Sequence, residues 1–192
     1  SRRREESSSE EEEENIEMTD TMEQASKIIA QNNAGLISIV EKFVRAKIQQ
    51  NHILGMTVDP LIALFKSNFC NRDTCADSFI SRTHLLWNEI KIGGNDIIEK
   101  ILKKMFSSEG KQTMVGDLLS TIKEFNNINL NLEGEDKDKV LKILRADIQL
   151  SLLFVQEARS QGEEEGEYMF EELGDDEELE RKMESYKSIS AS

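Results

Sequence analysis

Cysteine and histidine are the residues of this chain that could bind a metal ion or form a reactive nucleophile. The chain has two of each: Cys70, Cys75, His52 and His84. Structural zinc sites favour tight ligand pairs, whereas here four residues separate the cysteines and eight more precede His84. Catalysis by a thiol would also need a base held by a third group, and no glycine-rich elbow surrounds a serine or cysteine. The spacing therefore predicts no metal site, no cofactor and no catalytic residue, which indicates a non-enzymatic protein.

A second candidate chemistry is phosphate binding by clustered lysines. Lys100, Lys103 and Lys104 form the most basic local stretch, and such clusters release counterions when they neutralise nucleic-acid phosphates. The same lysines fall on the polar side of an amphipathic helix, and the net charge of −14 opposes long-range attraction to phosphates. Nucleic-acid binding through this basic face stays an alternative, favoured if Arg45 and Lys47 converge on the same surface.

The acidic residues are concentrated at the two ends of the chain. Residues 20–160 carry eighteen acidic and eighteen basic side chains, so all 14 net negative charges lie in residues 1–19 and 161–192. Segments of like charge with little apolar content cannot bury enough surface to offset the entropy of ordering them. We therefore expect one folded domain over residues 20–160, between two disordered acidic tails.

The amino-terminal tail contains serines in a pattern typical of phosphorylation sites. Ser7, Ser8 and Ser9 each precede a glutamate by three residues, the spacing that acid-directed kinases such as casein kinase 2 recognise. Phosphorylation would add about 1.5 to 2 negative charges per serine. The same run is also typical of solubilising low-complexity sequence.

The carboxyl-terminal tail combines large apolar residues with carboxylates. This pattern is typical of short motifs that become ordered when they dock into a partner's groove, and it predicts a docking motif in this tail. The alternative is a terminal helix that folds back onto the domain. The residues predicted to dock are Tyr168, Met169, Phe170, Leu173, Leu179 and Met183.

The segment between the tails has the apolar periodicity of helices. One proline and almost no two-residue alternation predict an all-α fold, a single bundle or array of about six to seven helices. The exception is Ile128 to Leu132, which predicts an extended loop or a short strand. Ile122 to Leu130 also resembles a leucine-rich export signal, although the same residues continue an apolar helix face. The predicted helices run from Asp20 to about Gly35, Leu36 to Asn51, Asp59 to Phe69, Thr74 through Ile90 to a stop at Gly93 and Gly94, Asp96 to Phe106, Met114 to Phe125 and Asp136 to Arg159. Asp20 with Glu23 and Asp96 with Glu99 have the spacing of capping boxes, which predicts where two of these helices begin.

Charge and composition together indicate an interaction protein. Acidic tails favour basic partners such as a histone, a nucleoprotein or a polymerase-type surface. The layout of tail, core and tail resembles phosphoproteins of negative-strand RNA viruses, viral transcriptional regulators and histone chaperones. The two alternatives are a nucleoprotein-associated structural protein and a small helical enzyme. No apolar run is long enough to span a membrane, and two cysteines suit a reducing compartment, so we expect the nucleus or the cytoplasm.

Overall fold

Every regular element that the structure describes is a helix. The computed structural model describes residues 17–51, 58–94, 96–107, 123, 125–162 and 169–191. Its α-helices are α1 (Asp20–Asn51), α2 (Val58–Phe69), α3 (Cys75–Thr83), α4 (Trp87–Ile92), α5 (Ile97–Met105), α6 (Gly134–Gly162) and α7 (Asp176–Ala191). Single 3-10 turns lie at His84–Leu86 and Glu171–Leu173. The prediction of an all-α helical array is confirmed. Most of the helix predicted from Met114 to Phe125 lies outside the described residues. Residues 1–16 lie entirely outside them.

Helix α6 is the centre of the array. It packs most extensively against α1, which is of similar length, and also contacts α3, α4, α5 and α7. Its buried stripe includes Leu144, Ile148 and Leu152, at the four-residue spacing that keeps side chains on one helix face. The short helices α2 to α5 cover the remaining sides of this pair.

Helix α1 is continuous through the point where the sequence predicted a break. The buried Asn33 side chain donates a hydrogen bond from Nδ2 to the carbonyl of Phe69, at 2.7 Å. Asn33 therefore satisfies the last carbonyl of α2 instead of ending α1. The start of α1 also differs from the predicted capping box of Asp20 and Glu23, because Thr19 Oγ1 accepts the bond from the Met22 amide at 3.2 Å.

A buried threonine marks the interruption of the helix predicted from Thr74 to Ile90. The Thr83 hydroxyl donates to the Phe79 carbonyl at 2.6 Å and accepts the indole N–H of Trp87 at 2.9 Å. Such local side-chain bonds compete with regular helix geometry, and the backbone forms a 3-10 turn directly after Thr83. The predicted stop at Gly93 is confirmed, because this residue ends α4 at a φ of 80°.

Helix α5 has the apolar face that the sequence predicted. Ile97, Ile98, Ile101, Leu102 and Met105 are all buried. The predicted capping box at its start is wrong, because the Asp96 side chain makes no capping bond.

Glu99, the second residue of that predicted capping box, binds the extended loop around Leu130 instead of its own helix end. Glu99 Oε2 accepts a hydrogen bond from the Leu130 amide at 2.7 Å. Ile128, Leu130 and Leu132 are buried while the asparagines between them are exposed, as expected of an extended loop. The export-like pattern is consequently not exposed at Phe125, Ile128 or Leu130, and Ile122 lies outside the described residues.

We predict that Ile101→Ala lowers the free energy of unfolding by about 2–5 kcal/mol, because it leaves a cavity in the core. Ile92→Ala is the matched control, since Ile92 is 82% exposed and its truncation should change stability by less than about 0.5 kcal/mol. Urea denaturation of both variants checks this. Equal losses in the two variants would contradict the assigned face of α5.

Candidate functional site

The carboxyl-terminal segment is part of the folded core from residue 169 onward. Leu173, Leu179 and Tyr186 are only 1%, 0% and 2% exposed. This corrects the expected domain boundary at residue 160 and the expected disorder of residues 169–191. The physical reason is that Leu179, Met183 and Tyr186 share one face of α7, which packs on α6.

The same burial favours the alternative to a docking motif, a terminal helix that folds back onto the domain, and docking by these residues stays a prediction. Leu173 and Leu179 are in the core, and Met169, Phe170 and Met183 are partly buried against it. While the segment is packed on α6, none of these five side chains is fully available to enter a groove of a partner. Tyr168 lies outside the described residues, as do Ser7, Ser8 and Ser9.

A buried arginine holds the segment in place. The side chain of Arg159, at the end of α6, is 3% exposed. Its Nε donates to the carbonyl of Met169 at 3.2 Å, Nη2 donates to Phe170 and Nη1 donates to Gly174. A guanidinium offers five N–H donors in a fixed plane, so one side chain can bind several carbonyls of a turn. We call these three bonds the Arg159 clamp.

The backbone at the clamp is strained. Phe170 has a φ of 57°, a left-handed conformation that is rare for bulky residues. Such strain persists only where surrounding contacts over-determine it, and the bond from Arg159 to the Phe170 carbonyl is one of those contacts. Lys182 Nζ adds a bond to the carbonyl of Leu173 at 2.9 Å.

Two further bonds attach α7 itself to the array. The Tyr186 hydroxyl donates to the carbonyl of Trp87, and Gln149 Nε2 donates to the carbonyl of Tyr186 at 2.7 Å. Burial raises the pKa of the Tyr186 phenol above its ordinary value, and the charge of Arg145 partly opposes this shift. The phenol therefore stays protonated and remains a donor at neutral pH.

A cavity of about 390 Å³ opens beside the clamp. Its lining includes Arg159, Gly174 and the exposed acidic residues Glu171, Asp175 and Asp176. Asp175 also accepts the amide of Glu178 at 2.9 Å and so caps α7, which fixes the position of its carboxylate. We call this cavity the acidic cleft. Asp176 Oδ1 lies 3.9 Å from Arg159 Nη1 and is shared with the clamp, whereas no ion pair among the described residues involves Glu171 or Asp175.

The lysines of the predicted basic face are largely neutralised by neighbouring acids. Lys100 Nζ lies 3.5 Å from Glu89 and 3.9 Å from Asp96, and Lys103 Nζ lies 3.6 Å from Glu99. Lys104 is exposed. Exposed pairs of this kind contribute little to stability, but they lower the positive potential that a phosphate would experience.

Arg45 and Lys47 have their own local contacts. Arg45 Nη2 lies 2.8 Å from Glu41 and 2.7 Å from Asp59, while Lys47 Nζ lies 5.4 Å from the centre of the Phe43 ring. These contacts give no support to a continuous basic surface for nucleic acid.

The Cys75 thiol and the described imidazole are each bound to a backbone carbonyl. The buried Cys75 thiol donates to the Ser26 carbonyl at 3.2 Å, and burial raises its pKa to about 12. Burial also raises the pKa of Cys70, and His84 Nδ1 lies 3.0 Å from the Ile80 carbonyl. Within the described residues, no three histidine, cysteine or acidic side chains form a cluster that could hold a metal ion. His52 lies outside these residues.

Sequence reasoning missed a buried carboxyl group on α6. Asp147 is fully buried, and its Oδ1 accepts a hydrogen bond from Asn32 Nδ2 at 3.1 Å. Burial raises the pKa of Asp147 well above its ordinary value, and the bond from Asn32 opposes this only in part. Among the described residues, neither Asp147 Oδ2 nor the Ser151 hydroxyl has a hydrogen-bond partner. The signal was present, because Asp147 and Ser151 interrupt an otherwise apolar stripe between Leu144 and Val155.

Comparisons with protein-family models, curated proteins and solved structures found no match to this chain. No helix in the described part of the chain combines the length and apolar content that crossing a membrane requires. The geometry of the site is therefore the basis of the functional proposal.

We predict that Arg159→Gln detaches residues 169–191. Hydrogen bonds to charged groups contribute about 1.5–3 kcal/mol each, so loss of the clamp should lower the free energy of unfolding by about 3 kcal/mol or more. Hydrogen exchange should show loss of amide protection in α7 before α1 and α6. The control is Arg181→Gln on the exposed side of α7, which should keep this protection. Unchanged protection of α7 in Arg159→Gln would contradict the clamp.

We also predict a pH dependence of stability that comes from Asp147. An acid with a higher pKa in the folded chain binds more protons when folded, so its stabilising effect is complete at low pH. The effect is lost as the pH rises from the unfolded pKa of about 4 through the raised folded value.

In Asp147→Asn the free energy of unfolding should therefore decrease less as the pH rises above about 4. Towards neutral pH this variant should be more stable than the unmodified chain. Denaturant titrations over this range measure the effect. Asp138→Asn, an exposed position on the same helix, should keep the original slope. Parallel curves for Asp147→Asn and the unmodified chain would show that Asp147 does not titrate in this way.

Proposed function

We propose that this chain is a non-enzymatic interaction domain that binds a basic protein partner through the acidic cleft. The observation that carries the proposal is the position of Glu171, Asp175 and Asp176 around a cavity next to the buried Arg159 clamp. A lysine or arginine side chain of the partner would enter the cleft. Arginine suits it best, because a guanidinium forms paired hydrogen bonds with carboxylates.

Preorganisation is the advantage of this site over a flexible acidic arm. Residues 169–191 carry eight acidic and three basic side chains, and the clamp fixes the backbone that bears the cleft carboxylates. Binding to fixed groups avoids the entropic cost of ordering an arm at the moment of association. The remaining acidic residues at both ends of the chain would raise the association rate by long-range attraction.

The basic partner is proposed to be of the histone, nucleoprotein or polymerase-surface kind, met in the nucleus or the cytoplasm. Phosphorylation of Ser7, Ser8 and Ser9 would add negative charge and strengthen the same attraction. The alternative of a nucleic-acid-binding face is less favoured, because Lys100 and Lys103 have acidic neighbours. The alternative of an enzyme is also less favoured, because the raised pKa of Cys75 keeps its thiol protonated.

A charge-matched pair of variants tests the proposal. The first variant, Glu171→Gln/Asp175→Asn, removes the two cleft carboxylates that do not pair with Arg159, and the amide that replaces the Asp175 carboxylate can still cap α7. The second, Glu135→Gln/Asp136→Asn, removes the same charge at the exposed start of α6. That start lies about 36 Å along the helix from Arg159, at 1.5 Å per residue.

Binding of a synthetic peptide of alternating arginine and serine is measured by fluorescence anisotropy at two salt concentrations. We expect the cleft variant to bind at least about fivefold more weakly and the control variant to change by less than about twofold. Equal weakening in both variants would mean that the chain acts as a simple polyanion. No weakening in the cleft variant would overturn the proposal.

A further inference from the structure

A second surface of opposite charge lies at the seam between α4 and α7. A groove of about 230 Å³ is lined there by Lys91 of α4 and by Arg181, Lys182 and Ser185 of α7. The polar lining also includes Asn88, Glu178 and the buried Tyr186. We call this the basic groove. Its positive charge is opposite in sign to the net charge of the chain, which has 38 acidic and 24 basic residues.

The groove has more donors than acceptors. Three of its side chains are cations and one, Glu178, is a carboxylate. Lys91 is exposed, and no carboxylate among the described residues pairs with it. Lys182 gives a bond to the Leu173 carbonyl and Arg181 pairs with Glu177 at 3.7 Å, but an ammonium has three donors and a guanidinium five. The remaining donors are suited to an oxyanion.

A fourth cation stands next to the groove. Arg145 Nη2 donates to the carbonyls of Ile90 and Lys91, at 3.3 and 3.4 Å, which neutralises the negative end of α4. The charge of Arg145 also reaches the phenol of Tyr186 in the groove lining. The terminal carbonyls of α4 therefore do not repel an anion at this seam as they otherwise would.

The size of the groove narrows the class of ligand. Its volume exceeds the roughly 30 Å³ of one water molecule and is smaller than the roughly 300–1,000 Å³ of pockets for drug-sized ligands. A single tetrahedral oxyanion with part of its hydration shell fits these limits. Lysine and arginine side chains with a nearby hydroxyl and amide are the groups that bind phosphate in proteins.

We propose that the basic groove binds a phosphate group, either a free anion or one carried on a phosphorylated protein. The phosphate oxygens accept hydrogen bonds from Lys91 on one side and from Arg181, Lys182 and Ser185 on the other. Because α4 and α7 both contribute donors, the ligand fastens the carboxyl-terminal segment to the array. This inference does not depend on the proposed function, since the groove and the acidic cleft use different side chains.

Thermal unfolding in sodium phosphate tests the site, with sodium chloride at the same ionic strength as the reference. A ligand that binds only the folded chain should raise Tm by about 3–6 °C when its concentration is ten times its Kd. We expect this shift in the unmodified chain, in Lys91→Arg and in the control Lys142→Gln, whose lysine is exposed on α6. In Lys91→Gln the shift should fall to less than about a third.

Equal shifts in chloride and phosphate would overturn the proposal, as would equal phosphate shifts in Lys91→Gln and Lys142→Gln. A phosphoserine peptide and its unphosphorylated form then distinguish the two sources of phosphate. Binding of the phosphorylated peptide more than about tenfold tighter than inorganic phosphate supports a protein-borne group. Equal affinities support a free anion, and in both cases Lys91→Gln should weaken binding.

Discussion

A buried guanidinium must find acceptors for its donors, and in this chain it finds them in the carboxyl-terminal segment. Arg159 is almost completely removed from solvent, and the carbonyls of Met169, Phe170 and Gly174, with the Asp176 carboxylate at 3.9 Å, help to make that burial tolerable. The turn that supplies these carbonyls directs the following residues back along α6 as α7. Both the acidic cleft and the basic groove are lined by this segment, so neither exists unless the guanidinium is satisfied.

The first turn of α7 is purely acidic, whereas its later turns carry both signs. Asp176, Glu177 and Glu178 occupy the first turn, where the helix dipole favours negative charge, and Arg181 and Lys182 follow between two further glutamates. A chain with a large negative net charge therefore carries an anionic and a cationic surface on one short helix. Net charge describes how the whole molecule behaves at a distance, whereas the local arrangement decides what binds at contact.

Local patterns predicted the fold well where one helix face decides the structure. The apolar spacing in α5 was sufficient, because five large side chains repeat at the period of the helix and all five are buried. Predictions failed where a polar side chain had two partners available. Glu99 binds the Leu130 amide instead of its own helix end, and Asn33 binds the Phe69 carbonyl instead of ending α1. Both partners are distant in sequence, at 31 and 36 residues, and no local rule contains them.

The candidate site was harder to predict for a related reason. The carboxylates of residues 171–178 were visible in the sequence and indicated disorder, because charge content is a local measure. Folding of this segment depends on Arg159, whose burial cannot be read from its neighbours. The apolar spacing of Leu179, Met183 and Tyr186 was the available signal, and it fitted a docking motif and a core helix equally well.

During synthesis on a ribosome, the carbonyl of Trp87 emerges long before the Tyr186 hydroxyl that it binds, because 99 residues separate the two. At about 5–20 residues per second, the interval is about 5–20 s. Helix α6 is complete only at Gly162, so α4 and α6 are present together without α7 for the last 24 residues of that interval, about 1–5 s. During this time the apolar surface that later receives Leu179 is open to water. The nascent chain therefore exposes a binding surface for chaperones that the finished molecule does not have.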